Sequence, residues 1–367
     1  MNAAADDMAS ASAGSDGAVD WPGQLAPAGC AVCGVVHLTP PGWVEAGRRC
    51  PACARGTLAA QPAPVRPEPP ELALPFAVTS AQAAAALEAW AAGVWLRPAE
   101  LSGPVLQARL APTYLPMWLV DAEAAGAWTA QAGYAYEVAS TNENYQGGQW
   151  VTQRVNETRL RWEPRAGQVR RAYANVAAPA LEDQAALLKR LGAFPLDKAA
   201  AFAPEAAQAA AVRVPTLTPE AAWPFARARL DERVAADVQA AAGAQKLEQP
   251  NLTLAYLGRH WTQLLLPVYA THYQDESGVW HAVLINGANG RIAGVRRASQ
   301  RLGWQWTGVI AAAALALFVL GALLTLAGAV LPPLMALGGL LLVAGFGMGL
   351  AALVPAVWAW QFNARSD

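Results

Sequence analysis

Four cysteines, the whole complement of the chain, stand as Cys30-Ala-Val-Cys33 and Cys50-Pro-Ala-Cys53, two Cys-x2-Cys pairs separated by sixteen residues. Each pair puts two thiolates on one tight turn, and two such turns can surround a single ion tetrahedrally; the spacing predicts a zinc ribbon. A site closed by four cysteines keeps no open coordination position, so the expected zinc, one per chain, is structural rather than catalytic. Gly34, after the first pair, suits a turn that aims backbone amides at the sulfurs, whereas Ala54 stands at the matching place in the second. A redox dithiol and a rubredoxin-type iron site are the competing readings of the same pattern. His37 lies between the pairs and is surplus to four ligands. Arg48, Arg49, Arg55, Trp21 and Trp43 flank the site. That is sparser than the basic, aromatic-interleaved face of a nucleic-acid ribbon, so protein contact is the expectation.

No other constellation points to chemistry. The three lysines, Lys189, Lys198 and Lys246, sit in no Gly-x4-Gly-Lys-Ser/Thr context, so there is no P-loop, and neither Gly-x-Ser-x-Gly nor His-Glu-x2-His occurs. His260, His272 and His281 fall on predicted strands, where isolated histidines are usually structural. Asp121 and Glu123 share one face of a predicted strand, and solvated carboxylates are the plainer reading. No catalytic or cofactor-binding residue is assigned, and no enzyme is expected.

Stepping outward from the cysteines, the elements that must carry them divide the chain into five parts. Residues 1–20 hold Asp6, Asp7, Asp16 and Asp20 and no positive charge, which is no signal peptide and reads as a disordered leader. The ribbon takes 21–58. A linker over 59–75, with Pro62, Pro64, Pro67, Pro69, Pro70 and Pro75, follows as a stiff spacer. An α+β body occupies 76–301. It opens with a helix capped at Ser80 and stopped at Gly93. Strands run from about Tyr114 to Val176, interrupted at Gly133, Gly147–Gly148 and Pro164–Gly167. Helices are predicted over 180–192 and 219–243, and a second β section over 252–295 has turns at Asp275–Gly278, Asn286–Gly287 and Asn289–Gly290.

The fifth part is apolar. Leu302 to Ala364 is a run of 63 residues without an acidic, basic or histidine side chain, split by Leu331-Pro332-Pro333. Helices over 307–330 and 334–360 would each exceed the roughly 30 Å of a hydrocarbon core, the shorter reaching about 36 Å. A transmembrane hairpin is therefore expected. Arg291, Arg296, Arg297 and Arg301 precede it, Arg365 follows it, and the connecting turn is uncharged, which places both termini in the cytoplasm. Trp304, Trp306, Trp358 and Trp360 form an aromatic belt on that same side. Gly345-x3-Gly349 would let the second helix approach a neighbour. No ionisable residue lies inside, so no ion or proton path is indicated.

Composition agrees. Charged residues are 14% of the chain against 54% hydrophobic, and 26 Lys+Arg balance 27 Asp+Glu, which excludes binding of nucleic acid by global charge. The strong bias to arginine and alanine points to a GC-rich bacterial genome.

In order along the chain, Pro75-Phe76-Ala-Val-Thr79, Tyr114-Leu-Pro-Met-Trp118 with Asp121-Ala122, Tyr173-Ala-Asn-Val176, Leu265-Leu-Pro-Val-Tyr269 and Val283-Leu-Ile-Asn-Gly287 follow the ribbon. With it they resemble the bacterial zinc-ribbon membrane proteins often labelled TFIIB-type zinc ribbon or primosomal protein N′ (replication factor Y), superfamily II helicase. The resemblance covers nearly all the chain after residue 28. It implies zinc ligands at Cys30, Cys33, Cys50 and Cys53 and no catalytic residues; the helicase part of the label needs a phosphate loop that this chain lacks. It also implies partners among flotillin-like (SPFH) or phage-shock-type membrane proteins. The resulting expectation is a non-enzymatic, cytoplasm-facing anchor or adaptor in the bacterial inner membrane. The alternative is a membrane-tethered nucleic-acid-binding factor related to replication, without helicase activity.

Overall fold

The computed structural model describes residues 25–61, 70–203 and 209–365. The acidic leader, Trp21, and Pro62, Pro64, Pro67 and Pro69 of the spacer lie outside them. The fold is mixed α+β, as expected. Among the described residues the strands are β1 (Ala26–Cys30), β2 (Val36–Thr39), β3 (Leu58–Ala60), β4 (Leu72–Ala73), β5 (Ala111–Gln146), β6 (Gln149–Pro179), β7 (Ala200–Ala201), β8 (Ala211–Arg213), β9 (Lys246–Gln274), β10 (Trp280–Asn286) and β11 (Ile292–Gly294). Their hydrogen-bonded order is β11-β10-β9-β5-β8-β2-β1-β3, with β6 on β5. The chain forms two compact units. One comprises Met1–Leu115, Ala186–Val214 and Leu265–Asp367, the other Pro116–Ala185 and Pro215–Leu264.

The second unit is built on the long β5–β6 hairpin. Gln146 pairs with Gln149 across a two-residue loop, Gly147–Gly148, whose φ angles of 64° and 86° are those of a hairpin turn that only glycine adopts freely. The other two expected interruptions lie inside the ladder instead. Gly133 stands opposite Trp162, and Gly167 opposite Trp128. A Cβ on Gly133 would come 3.0 Å from the Trp162 ring, and one on Gly167 would come 2.9 Å from Trp128. Each glycine thus clears room for an indole lying over the neighbouring strand, and marks no turn.

A helix over Pro219–Ala242 covers the base of this hairpin. Its buried residues, Ala222, Ala226, Leu230, Val234 and Val238, repeat every four positions and so form one stripe. They pack on Trp118, Val120, Trp128, Tyr173 and Val176. Thr218 caps its start, and Gly243, at φ 61°, ends it. The Tyr173 hydroxyl donates to Asp237 on the helix at 2.6 Å, and Tyr256 donates to Asp231.

In the first unit, the helix over Ser80–Ala92 is capped by Thr79, one residue before the expected cap. Gln82 sits three residues after Thr79, so its side chain accepts from the Thr79 amide at 2.9 Å while Thr79 Oγ1 accepts from the Gln82 amide at 3.2 Å. Ala83, Leu87 and Ala91 bury against Tyr269, Tyr273, Val283 and Ile285. The expected turn at Asp275–Gly278 joins β9 to β10.

The C-terminal run forms helices over Gln300–Ala327, Pro332–Ala351 and Val354–Ala364. The second apolar segment, expected as one helix, is interrupted at Ala352–Leu353, just before Pro355, whose ring nitrogen has no proton to continue the ladder. Two spans, Gln300–Ala327 and Pro332–Ala364, are long and apolar enough to cross a membrane, and only 11% and 22% of their most apolar windows are buried. A helix in the core of a water-soluble domain would be covered by its neighbours. The two spans meet at glycines. A Cβ on Gly321 would lie 2.9 Å from Gly338 O, and one on Gly345 would lie 2.9 Å from Phe318 N. Gly345 therefore meets the other arm of its own hairpin, while Gly349 has no such close approach.

The root of the hairpin is bonded to the body. The Asn363 side chain accepts from the Ala298 amide at 2.7 Å and donates to its carbonyl at 3.0 Å. Glu276, in the β9–β10 turn, accepts from the Ser299 hydroxyl and from the Arg301 amide.

Candidate metal centre

Two knuckles of similar construction bring the cysteines together. In the first, Cys30 ends β1, its amide donates to Val35 O at 3.0 Å, and the Gly34 amide returns to Cys30 O at 2.8 Å. In the second, the Cys50 amide donates to Gly56 O at 2.8 Å, and the Ala54 amide returns to Cys50 O at 2.8 Å. Gly34 and Ala54 occupy equivalent left-handed positions, at φ 72° and 59°. The sequence difference noted there is thus a conformational one, because an alanine holds a geometry that costs it about 1 kcal/mol. Strand β3 returns beside β1, with Leu58 opposite Cys30, and Arg49 bridges to Thr57, so the knuckles face one another.

All four sulfurs lie within 4.8 Å of one another, with Cys30 Sγ 3.8 Å from Cys53 Sγ and Cys33 Sγ 3.7 Å from Cys50 Sγ. Those are the separations of four ligands around one ion, and none is a disulfide. Cys30 and Cys50 are buried, packing with Ala28, Trp43 and Leu58. Burial pushes the Cys50 thiol well up, with the neighbouring sulfurs adding to the rise. At Cys30 burial also acts upward, but backbone hydrogen bonds from Cys33 and Val32, together with the Cys33 and Cys53 side chains, outweigh it and leave the thiol below its ordinary value. Four such close sulfurs can ionise together only with a cation among them, which is the chemistry this cluster can do.

Gly56 is a part of the site that spacing rules do not reveal. A Cβ there would sit 2.5 Å from Cys30 Sγ. The knuckles are also bonded to the rest of their unit. β2 pairs with β8, His37 opposite Arg213. Arg49 donates to the carbonyls of Ala54 and Arg55, at 3.3 and 3.1 Å, while its guanidinium lies 3.5 Å from the centre of the Trp280 ring on β10.

The remaining candidates are separated by the fold. His37 is 1% exposed on β2, and burial, helped by the charge of Arg213, lowers its pKa to about 3, so it is neutral; it stands outside the cluster that the four cysteines form. His272 and His281 lie on adjacent strands, but His281 pairs with Tyr273 and Ala282 with His272, so the two rings point to opposite faces. His281 stacks on Tyr273 and contacts Asp275 at 2.8 Å, which helps close the β9–β10 turn. His272 meets the edge of Trp280. His260 is exposed on β9. Asp121 accepts from the Asn175 amide at 2.7 Å beside a register shift in the β5–β6 ladder, while Glu123 pairs with Arg170. Each of these carboxylates serves the hairpin.

No known protein family, curated protein or solved structure matches this chain. The site has to be read from its own geometry.

Proposed function

We propose that the chain is a non-enzymatic zinc-ribbon membrane protein, a cytoplasm-facing anchor or adaptor for membrane-associated protein partners. The observation that carries the reading is the convergence of four thiols within 4.8 Å in the same unit as two exposed apolar spans. The geometry suits zinc, since four thiolates at a Zn–S distance of about 2.3 Å stand about 3.8 Å apart in a regular tetrahedron, and two of the sulfur separations are 3.8 and 3.7 Å. The choice of zinc over iron rests on the two Cys-x2-Cys pairs of a zinc ribbon. With its ligands complete, such an ion holds two turns in register and leaves no position for substrate.

The flanking arginines favour insertion with the body and both termini in the cytoplasm. The hydrogen bonds at Asn363 and Glu276 then make the hairpin a fixed mount for the body. The resemblance read from the sequence supports partners of the SPFH or phage-shock type and a bacterial inner membrane.

Native purification of the tagged protein in mild detergent, followed by mass spectrometry and a nucleic-acid assay of the same eluate, tests this. A near-stoichiometric membrane scaffold protein without nucleic acid is expected. Co-eluting DNA and replication proteins, lost when the cysteines are replaced, would overturn it in favour of a tethered nucleic-acid-binding factor.

A further inference from the structure

Beside the second knuckle is a cavity of about 360 Å³, bounded by Arg48, Arg49 and Pro51 on one side and by Arg109, His272 and Trp280 on the other. Its size is within the range of small-molecule sites. What distinguishes it is charge. Three guanidiniums line it and no carboxylate does. Arg109 is paired with Glu100 at 2.6 Å, while among the described residues neither Arg48 nor Arg49 forms an ion pair. Three guanidiniums less that one carboxylate leave two net positive charges around one concavity.

The arginines are also held in place. Arg49 lies 3.5 Å over the Trp280 ring and Arg48 4.7 Å over Trp43, and Arg109 donates to His272 O at 3.3 Å. Stacking fixes the plane of a guanidinium while leaving part of its N–H edge free, which is the arrangement that suits fork-like binding of an oxyanion. His272 conforms to the same field. Burial, with Arg109 and Arg49 close by, lowers its pKa to about 4, so it enters the cavity as a neutral imidazole able to share a proton with an anion.

We propose that this cavity binds a small phosphate-bearing anion, with Arg48, Arg49 and Arg109 as its ligands. A phosphate monoester carries a charge of about −1.5 to −2 at neutral pH and matches the two uncompensated positive charges, which a single carboxylate would not. The phosphate has two possible sources, a free metabolite or a lipid headgroup. Trp280 opens the strand that follows the β9–β10 turn, and Glu276 of that turn bonds the first residues of the apolar hairpin, so a headgroup is within structural reach.

The test is calorimetric titration of the full chain, held in zwitterionic detergent, with inorganic phosphate in one arm and short-chain phosphatidic acid in the other. Saturable binding is expected in at least one arm, and the responding arm names the source. Arg109→Gln, across the cavity from the second knuckle, is expected to weaken it by about tenfold or more, the scale of one charge-assisted hydrogen bond, with the metal content unchanged. Arg48→Gln provides a second reading at the opposite wall. Absence of binding in both arms, or binding that neither substitution alters, overturns the proposal.

Discussion

The Arg49 guanidinium lies 3.5 Å over the ring of Trp280, so the residue preceding Cys50 is stacked on the strand that leads back to the root of the apolar hairpin. The cysteine cluster is thereby tied into its unit by a side-chain contact in addition to the strand pairing of His37 with Arg213. A cation–π contact of this kind contributes about 0.5–2 kcal/mol. Trp280→Leu is expected to speed zinc loss to a chelator severalfold with the stoichiometry intact. Wild-type release kinetics in that variant would mean that the knuckles hold the ion without support from β10.

Two glycines in the cluster should respond in opposite ways. Gly34 has a positive φ but open space around it, so Gly34→Ala pays only the left-handed penalty, about 1 kcal/mol, and keeps its metal. In Gly56→Ala the new methyl would start 2.5 Å from Cys30 Sγ and must displace that sulfur. Metal analysis of both proteins checks this, with near-complete loss expected in Gly56→Ala alone.

Acid should destabilise the fold through His37. Its pKa, about 3 when folded, lies below the ordinary value of 6.5, so between these values the unfolded chain binds the extra proton and stability falls as pH falls. The contribution is present in full above pH 6.5 and is progressively removed below it, by about 2 kcal/mol at pH 5. His37 and Thr113 line a cavity of about 20 Å³, which gives a slightly larger ring some room. His37→Phe is therefore expected to melt with a shallower pH dependence between pH 7 and 5; an unchanged slope would place the proton elsewhere.

The hairpin depends on close approach at Gly321, Gly338 and Gly345. Gly338→Leu would drive a side chain into Gly321 O and Thr325, separating the arms, whereas Gly339→Leu faces open space. Protease resistance of the reconstituted protein should drop in the first variant and not in the second. Equal behaviour of the two would show that the arms do not pack through these glycines.

How much of this was legible in the sequence follows from the range of the interactions. The cysteine pairs are local, and so were the helix end at Gly93, the hairpin turn at Gly147–Gly148 and the uncharged C-terminal run. Gly133 and Gly167 read as interruptions in the sequence because a glycine that makes room for an indole looks, in one strand alone, like a glycine that makes a turn. Only the register with Trp162 and Trp128 separates the two cases. The cap falls at Thr79 and not at Ser80 because the reciprocal Gln82 bond decides between adjacent hydroxyls. Gly56 and the Arg49–Trp280 stack depend on tertiary proximity, and no spacing rule carries that. The placing of His272 and His281 on opposite faces likewise follows from the register of β9 with β10.

The most direct test is the metal content of the intact protein, extracted from membranes under reducing conditions, together with its X-ray absorption spectrum. One zinc per chain with four sulfur neighbours at about 2.3 Å is expected, reduced to a small fraction in Cys30→Ser. Protein with four reduced cysteines and no bound metal, or with iron in place of zinc, would contradict it.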